Sequence, residues 1–282
     1  MPARGQKGRG GGASALVPVP VPPPLSMTRR ALLIAIEGPS GAGKTTLARR
    51  TAERFGWRLL PEAYDRLSPR PSLRFAGPAG LLALERRLLA EERRRYAEAL
   101  RSTAAGTTVL ADTGFLGPLT YTAGLVARGA APGRLLTDLL EEEQRARSPR
   151  AAGLPDVVVY LDVPSRLARR RGASDPAGHP ADLAGRHAAI GAWERRFYRR
   201  VLGPAFPSVV RTVPASGAPR SIARRLEAAV RSSVPLAHPR DAARVARTLL
   251  GGLVADGRPP RDRARSAATV KKPARSRPGP SR

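Results

Sequence analysis

An apolar run followed at once by a glycine-rich loop is the feature that most constrains the fold. Residues 31–37 read ALLIAIE, which is typical of a strand buried on both faces, and residues 38–46 read GPSGAGKTT. A helical pattern then continues to about Phe55. Glycines in such a loop let backbone N–H groups turn inward, and the start of the helix adds a positive dipole. The segment therefore predicts a phosphate-binding loop.

The loop matches the pattern G-x-x-x-x-G-K-[ST], in which each residue type has a physical task. We expect Lys44 to reach the β- and γ-phosphates of a nucleotide and the Thr45 hydroxyl to bind Mg²⁺. Lys44 is the only lysine between residues 8 and 270, where every other basic side chain apart from histidine is arginine. The predicted nucleotide-binding residues of the loop are Gly38, Pro39, Ser40, Gly41, Ala42, Gly43, Lys44, Thr45 and Thr46.

Strand and helix patterns alternate along the rest of the central region. Short apolar runs predict strands at 57–60, 107–111, 157–161 and 209–213. Amphipathic patterns predict helices at 81–100, 135–147, 186–202 and 220–230. This alternation predicts an α/β fold with a parallel sheet covered by helices on both faces. Ligands in such folds bind at the carboxyl ends of the strands.

The two ends of the chain differ in composition from the centre. Residues 1–28 are rich in Gly and Pro, and residues 257–282 are rich in Arg, Pro and Ser, so we expect both to be disordered. Residues 29–232 form the predicted domain, and residues 233–256 fit a short helix. No run of about 18 apolar residues occurs. We therefore expect a soluble, cytoplasmic protein without a membrane partner.

Charge and cysteine content exclude several kinds of chemistry. The formal net charge is +28, and 46 of the 50 Lys and Arg residues are Arg. The centre is basic enough to attract phosphorylated ligands, and the basic tail is the one segment suited to nucleic acid. The chain has no Cys, and its three His are scattered. Disulfides, thiolate nucleophiles, Cys-ligated zinc and a histidine metal cluster are thereby excluded.

Two further classes of nucleotide-binding protein fit poorly. A signalling GTPase needs an Asn-Lys-x-Asp element to recognise its base, and this chain contains no Asn. A mechanical ATPase of the AAA type normally has two adjacent acidic residues at the end of an apolar strand. Here the candidate strands end in Asp112-Thr113 and Asp162-Val163, each with a single carboxylate. A small-molecule kinase fits better.

The chain resembles the nucleoside and nucleotide kinases of the P-loop superfamily. GPSGAGKTTLARR, ADTGFLGPLTYTAGL and PDVVVYLDVPSRLARRR follow the order and spacing of thymidylate-kinase-like proteins over about residues 31–231. This resemblance implies a three-layer P-loop fold with a five-stranded parallel sheet of order 2-3-1-4-5 and a small helical lid. Two departures stand out. Thymidylate kinases have Asp-Arg where this chain has Asp112-Thr113, and Glu62 resembles the acidic residue of deoxynucleoside and ribosylnicotinamide kinases.

These departures bear on the acceptor. Because the arginine that grips an acceptor phosphate is missing, the resemblance favours an acceptor with a free hydroxyl. It also implies that Glu62 and Asp112 face the γ-phosphate. Glu62 would then take the proton of the attacking hydroxyl, and Asp112 would hold Mg²⁺ directly or through water. A structural or exposed carboxylate remains the alternative at both positions, and for Asp162 a structural role is favoured.

The resemblance also implies a lid and a segment that contacts adenine. The lid would span about residues 169–187, where an arginine could stabilise the transferring phosphoryl group. Arg169 or Arg170 is the predicted catalytic residue among the cluster that also contains Arg166 and Arg171, with Arg186 behind them. A generally basic helix is the alternative. Ala215 and Ser216 lie where relatives contact adenine with backbone atoms.

Aromatic residues are the remaining candidates for acceptor recognition. Four lie in segments that cover the acceptor in relatives: Phe75, Tyr96, Phe115 and Tyr121. For each of them, packing in the core is the alternative, and it is the favoured reading for Trp193, Phe197 and Tyr198.

The sequence thus predicts an ATP- and Mg²⁺-dependent kinase for a nucleoside, nucleotide or similar acceptor. Two alternatives stay open: a kinase of a non-nucleotide acceptor such as an antibiotic, and a regulatory ATPase whose basic tail binds nucleic acid. Whether the protein forms a homodimer is also open.

Overall fold

The computed structural model describes residues 30–72, 77–146, 154–173 and 190–233. Five parallel strands form one sheet in the order β2-β3-β1-β4-β5, which confirms the predicted topology. In register, Leu33 lies opposite Val109, and Ile34 lies opposite Val157. The strands are β1 (Leu33–Glu37), β2 (Arg58–Leu60), β3 (Val109–Asp112), β4 (Val157–Asp162) and β5 (Val210–Pro214).

Helices connect the strands and cover both faces of the sheet, as the βαβ pattern requires. In chain order they are α1 (Lys44–Phe55), α2 (Ala63–Arg66), α3 (Gly77–Ala104), α4 (Gly117–Ala127), α5 (Gly133–Ala146), α6 (Ser165–Ala173), α7 (190–197), a π-helical stretch (Tyr198–Leu202), α8 (Gly203–Ala205) and α9 (Pro219–Arg231). None of the helices in the described ranges is long and apolar enough to cross a membrane.

Apolar clusters on both faces of the sheet explain why the central strands are apolar without alternation. Every residue of β1 and β3 is buried. Ile34 and Ile36 pack with Leu47 of α1 and Leu226 of α9. A second cluster joins the helices of the other face through Leu119, Leu139, Tyr160, Trp193, Phe197 and Tyr198. Burial on both faces removes the period of two that a half-exposed strand would show.

Helix α4 is an element that periodicity did not predict. Its sequence, GPLTYTAGLVA, is buried at most positions, and therefore has no polar face to create a 3.6-residue period. The other predicted strands and helices are present with ends that differ by a few residues. Several predicted segments lie wholly or partly outside the described residues, including 1–28, most of the lid, the start of the predicted helix 186–202, 233–256 and 257–282.

Candidate active site

The loop between β1 and α1 has the shape of a phosphate cradle. Gly43 precedes the first residue of α1 with φ of 88°, and no acidic side chain neutralises the first turn of the helix. Gly41 has φ of +78°, and a Cβ there would lie 2.1 Å from the carbonyl oxygen of Ala168. Only glycine fits that position. The positive end of α1 therefore faces the loop, where an anion is stabilised.

The side chain of Lys44 reaches back across this loop. Its Nζ donates hydrogen bonds to the carbonyl oxygens of Gly38, at 2.8 Å, and Pro39, at 3.4 Å. The ammonium group therefore lies inside the loop rather than in solvent, and it lines a cavity of about 810 Å³. Thr45 and Thr46 line the same cavity. This volume falls within the range of small-molecule sites.

At the edge of the sheet next to the phosphate loop, a carboxylate lies at or just after the end of each of three neighbouring strands. Glu37 ends β1, Asp112 ends β3, and Glu62 follows β2 by two residues. The Thr45 side chain hydrogen-bonds Asp112, which links the two residues that the sequence predicted as metal ligands. Glu37 and Glu62 both line the cavity. The sheet thus brings together the predicted residues Lys44, Thr45, Glu62 and Asp112.

Burial dominates the electrostatics of these carboxyl groups. Desolvation raises the pKa of Glu62, and the Lys44 ammonium opposes this shift while Asp112 adds to it. The pKa of Asp112 is also raised by burial, against the hydrogen bond from Thr45 and the charge of Lys44. Burial and the charge of Glu194 raise the pKa of Glu37 to about 8. Lys44 therefore serves as the common counter-charge of this acidic group.

The donor set fits a hard divalent cation. Asp112 is 3% exposed, and among the described residues its Oδ1 atom has no hydrogen-bond partner. The Thr45 hydroxyl lies beside it. A carboxylate and a hydroxyl next to a phosphate cradle are the oxygen ligands that Mg²⁺ takes with nucleotides. The residues present therefore fit Mg²⁺.

Arg95 of α3 is a site component that the sequence did not reveal. It is fully buried and forms a salt bridge with Glu92. Its Nη2 donates to the carbonyl oxygens of Asp112, at 3.0 Å, and Thr113, at 3.3 Å. Thr113 has a positive φ of 69°, which is rare for a branched residue. Arg95 therefore fixes the end of β3 in the conformation that places the Asp112 carboxylate.

Helix α7 supplies a second site residue that the sequence did not reveal. Glu194 accepts a hydrogen bond from the backbone N–H of Gly38, and burial raises its pKa to about 7. The Tyr198 hydroxyl donates a hydrogen bond to Glu37 on the same side of the loop. A Cβ on Gly114 would come within 2.0 Å of Glu37 Oε1, so Glu37 also needs this glycine. Helix α7 and the π-helical stretch after it thus hold the start of the phosphate loop.

The predicted lid arginines differ in their placement. Arg166, Arg169 and Arg170 are exposed on α6, and none of them lines the cavity, whereas Arg171 does. Arg171 donates to the carbonyl oxygens of Ala215, at 2.9 Å, and Gly217, at 3.4 Å. It therefore joins α6 to the segment predicted to contact adenine. Arg186 lies outside the described residues.

Residues after β4 and β5 have structural contacts. The Asp162 carboxylate binds Arg195, at 2.6 Å, and lies 3.8 Å from Arg199. Its backbone carbonyl accepts a hydrogen bond from the N–H of Ala215. Ala215 is buried, and Ser216 is exposed beside it. These contacts anchor the loop after β5 to the rest of the domain.

The aromatic candidates separate into two groups. Tyr121 of α4 is half-buried and lines the cavity. Tyr96 and Phe115 are buried and pack edge to face, with ring centroids 5.0 Å apart. Trp193, Phe197 and Tyr198 are buried in the core, as favoured from the sequence. Phe75 lies outside the described residues.

Comparison with known proteins points to nucleotide kinases. A family model described as an AAA domain matches residues 33–150, which is less than half of the chain. A thymidylate kinase of Xanthomonas euvesicatoria is 37% identical over 158 residues, which are 52% of this chain and 64% of that protein. One from Xanthomonas campestris is 36% identical over 170 residues, 55% of this chain and 67% of that protein. The chain thus spans slightly less than two thirds of the first of these relatives.

A solved structure shares the fold. Deoxyadenosine kinase from M. mycoides with bound dATP superposes with a TM-score of 0.57 at 15% identity, covering 71% of this chain and all of that one. The phosphate loop, the sheet order and the identity to the Xanthomonas enzymes agree with one another. The chain therefore belongs to the P-loop nucleotide kinase superfamily.

Proposed function

We propose that this protein is an ATP- and Mg²⁺-dependent kinase that transfers the γ-phosphoryl group to a hydroxyl of a nucleoside, nucleotide or similar small molecule. One observation carries the proposal. The phosphate loop with Lys44 and the carboxylates of Glu62 and Asp112 lie together at one edge of the sheet. A phosphate donor on the loop and a hydroxyl near Glu62 would then lie side by side.

The residues of the chain divide the chemical work between binding and proton transfer. The loop N–H groups and Lys44 bind the β- and γ-phosphates. Thr45 and Asp112 would hold Mg²⁺, which when bound neutralises charge on the phosphates. Glu62 accepts the proton of the acceptor hydroxyl, and because its pKa is raised by burial it is a stronger base than an exposed glutamate. Arg169 and Arg170 on α6 remain the proposed cations for the transferring group.

The charge of the acceptor side favours an acceptor without phosphate. Thr113 occupies the position at which thymidylate kinases have an arginine. The described cavity-lining residues of α2, α3 and α4 include no Lys or Arg, whereas Glu85 and Glu92 are among them. A phosphorylated acceptor would meet the carboxyl groups of Glu85 and Glu92 there and would gain no cation to bind it. A neutral or positively charged hydroxyl compound suits this surface better.

A coupled assay of ADP release tests the proposal. Nucleosides, mononucleotides and small alcohols, including aminoglycosides, are supplied one at a time with ATP and Mg²⁺. We expect acceptor-dependent release with at least one nucleoside. Lys44→Ala should abolish it, while the matched control Arg49→Ala, exposed on the same helix and outside the cavity, should leave it unchanged. ATP hydrolysis without any acceptor dependence would refute the kinase and favour the regulatory ATPase.

A further inference from the structure

Two carboxyl groups beside the phosphate loop have no role in the proposed chemistry. Glu37 ends β1 and is 5% exposed, Glu194 of α7 is partly exposed, and both line the cavity. The backbone N–H of Gly38 donates a hydrogen bond to Glu194, and the Tyr198 hydroxyl donates one to Glu37. The negative charge of Glu194 also acts on Glu37. The two carboxyl groups therefore form a pair at the start of the loop.

Lys44 is a cation that this pair shares. Its charge opposes the rise in the pKa of Glu37 and also that of Glu194. Its Nζ donates hydrogen bonds to the carbonyl oxygens of Gly38 and Pro39. Carbonyl oxygens carry no net charge, so the positive charge of the ammonium group acts on both carboxyl groups. One ammonium group thus faces two carboxyl groups.

The other groups around the pair are neutral, negative or already engaged. Tyr160 of β4 and Tyr198 stack with ring centroids 4.6 Å apart, and burial raises the pKa of both phenols, which therefore stay neutral. The charge of Glu92 on α3 raises the pKa of Glu37 further. Arg195, which follows Glu194 in the chain, forms a salt bridge with the carboxylate at the end of β4. Lys44 is therefore the counter-charge on which the pair depends.

A bound nucleotide would change this balance of charge. Phosphates held by the N–H groups of the loop bring negative charge next to Gly38, and they bind the ammonium group of Lys44. Glu37 and Glu194 then lose part of the attraction that favours their ionised forms, and they gain a negative neighbour. Both changes favour the protonated form of a carboxyl group.

We propose that Glu37 and Glu194 act together as a proton-accepting pair, which takes up a proton when the phosphates of a nucleotide occupy the loop. They are positioning residues, because they act on the nucleotide through Gly38 and Lys44 and do not touch the reacting atoms. The inference rests on the nucleotide binding of the proposed function and requires no acceptor. It makes the affinity of the loop for nucleotide depend on pH.

The free protein defines the pH range in which this uptake is measurable. Burial is the largest cause that raises the pKa of Glu194 to about 7 and that of Glu37 to about 8. Below about pH 6 both groups hold a proton before the nucleotide arrives, so binding takes up none. At pH 8 the pair is partly ionised in the free protein and is protonated again on binding. The dissociation constant for nucleotide should therefore rise as the pH rises above 7.

Calorimetric titration with ADP and Mg²⁺ at pH 8 tests the pair. The binding enthalpies measured in buffers of different ionisation enthalpy give the number of protons taken up. Wild-type protein should take up roughly half a proton more than Glu194→Gln, which keeps an oxygen for the N–H of Gly38 but cannot titrate. Protons exchanged by the nucleotide and the metal are the same for both proteins and cancel in this difference. Between pH 7 and pH 9 the dissociation constant should rise more steeply for the wild type than for the variant.

A second variant and a control complete the test. Glu37→Gln keeps an acceptor for the Tyr198 hydroxyl and should also lower the proton uptake, whereas Glu141→Gln, exposed on α5 and outside the cavity, should match the wild type. Equal uptake by the wild type and by both of the first two variants would overturn the pair and leave the kinase proposal intact. Absence of nucleotide binding would overturn both proposals. Proton uptake that depends on the pair, without acceptor-dependent release of ADP, would support the pair and refute only the kinase.

Discussion

Replacing Glu85 by Gln should change how the stability of the protein depends on pH. Burial raises the pKa of Glu85 from 4.5 to about 8, and no charged side chain contributes to this rise. Between these two pH values the unfolded chain has lost the proton of Glu85 while the folded protein still binds it. The free energy of unfolding of the wild type therefore falls as the pH rises through this window.

The magnitude follows from the width of the window. One pKa unit corresponds to about 1.4 kcal/mol, so ionising Glu85 in the fold costs at most about 5 kcal/mol, an order-of-magnitude bound. Gln has no proton to lose and is free of this cost. The stability of Glu85→Gln relative to the wild type should rise from pH 4.5 to about pH 8 and stay constant above it. Glu37 and Glu194 also titrate near neutral pH, but they are present in both proteins and cancel in the difference.

Urea unfolding at pH 5, 6.5, 8 and 9 measures this difference. Glu141→Gln provides the control for replacing a glutamate at the surface, because its side chain is 57% exposed. A Glu85→Gln difference that does not change with pH would contradict the reasoning, since it would mean that Glu85 ionises in the folded protein as easily as in the unfolded chain. A difference that shrinks with rising pH would contradict it as well.

Four other changes test the remaining structural arguments. Glu62→Gln should lower kcat by roughly 10²-fold while ATP binding, measured by calorimetry, stays nearly unchanged; an unaltered kcat and acceptor KM would remove Glu62 from the chemistry. Arg95→Met leaves Glu92 buried without its partner and should cost about 3–5 kcal/mol in chemical denaturation, part of which Glu92→Gln should restore in the double variant. Gly41→Ala places a Cβ against the carbonyl of Ala168 and should weaken ATP binding severely without lowering the melting temperature to the same degree. Deleting residues 1–26 and 257–282 together should leave activity and cooperative melting intact, and loss of either would show that a terminal segment belongs to the domain.

The sequence predicted the sheet because buried parallel strands appear as uninterrupted apolar runs. The phosphate loop was equally clear, since its glycines and Lys44 must follow one another at fixed spacing. The topology came from a family resemblance that rested on motifs at three strand ends, and the observed order β2-β3-β1-β4-β5 confirms it. These features depend on short stretches of chain, which is why one sequence sufficed.

Arg95, Glu85 and Glu194 were missed for a common reason. In a sequence, charged residues on a helix predict a solvated face, and only tertiary packing shows that these three point inward. Helix α3 packs against α4 and α5, and α4 has no polar face, so its sequence carries no period from which its position could be inferred. A paired charge within the apolar stripe, such as Glu92 with Arg95, was the one available signal.

Arg95 also has a consequence for how the domain opens locally. Its guanidinium group connects helix α3 with the ends of β2 and β3 through the carbonyl oxygens of Leu60, Asp112 and Thr113. Separating the helix from the sheet would break these three hydrogen bonds at once, while Arg95 would keep Glu92 as its partner on the same helix. We therefore expect α3 and the ends of these strands to exchange their amide hydrogens with solvent in a single subglobal opening. Helix α3, which lines the acceptor side of the cavity, and strand β3, which carries Asp112, would then lose their order together.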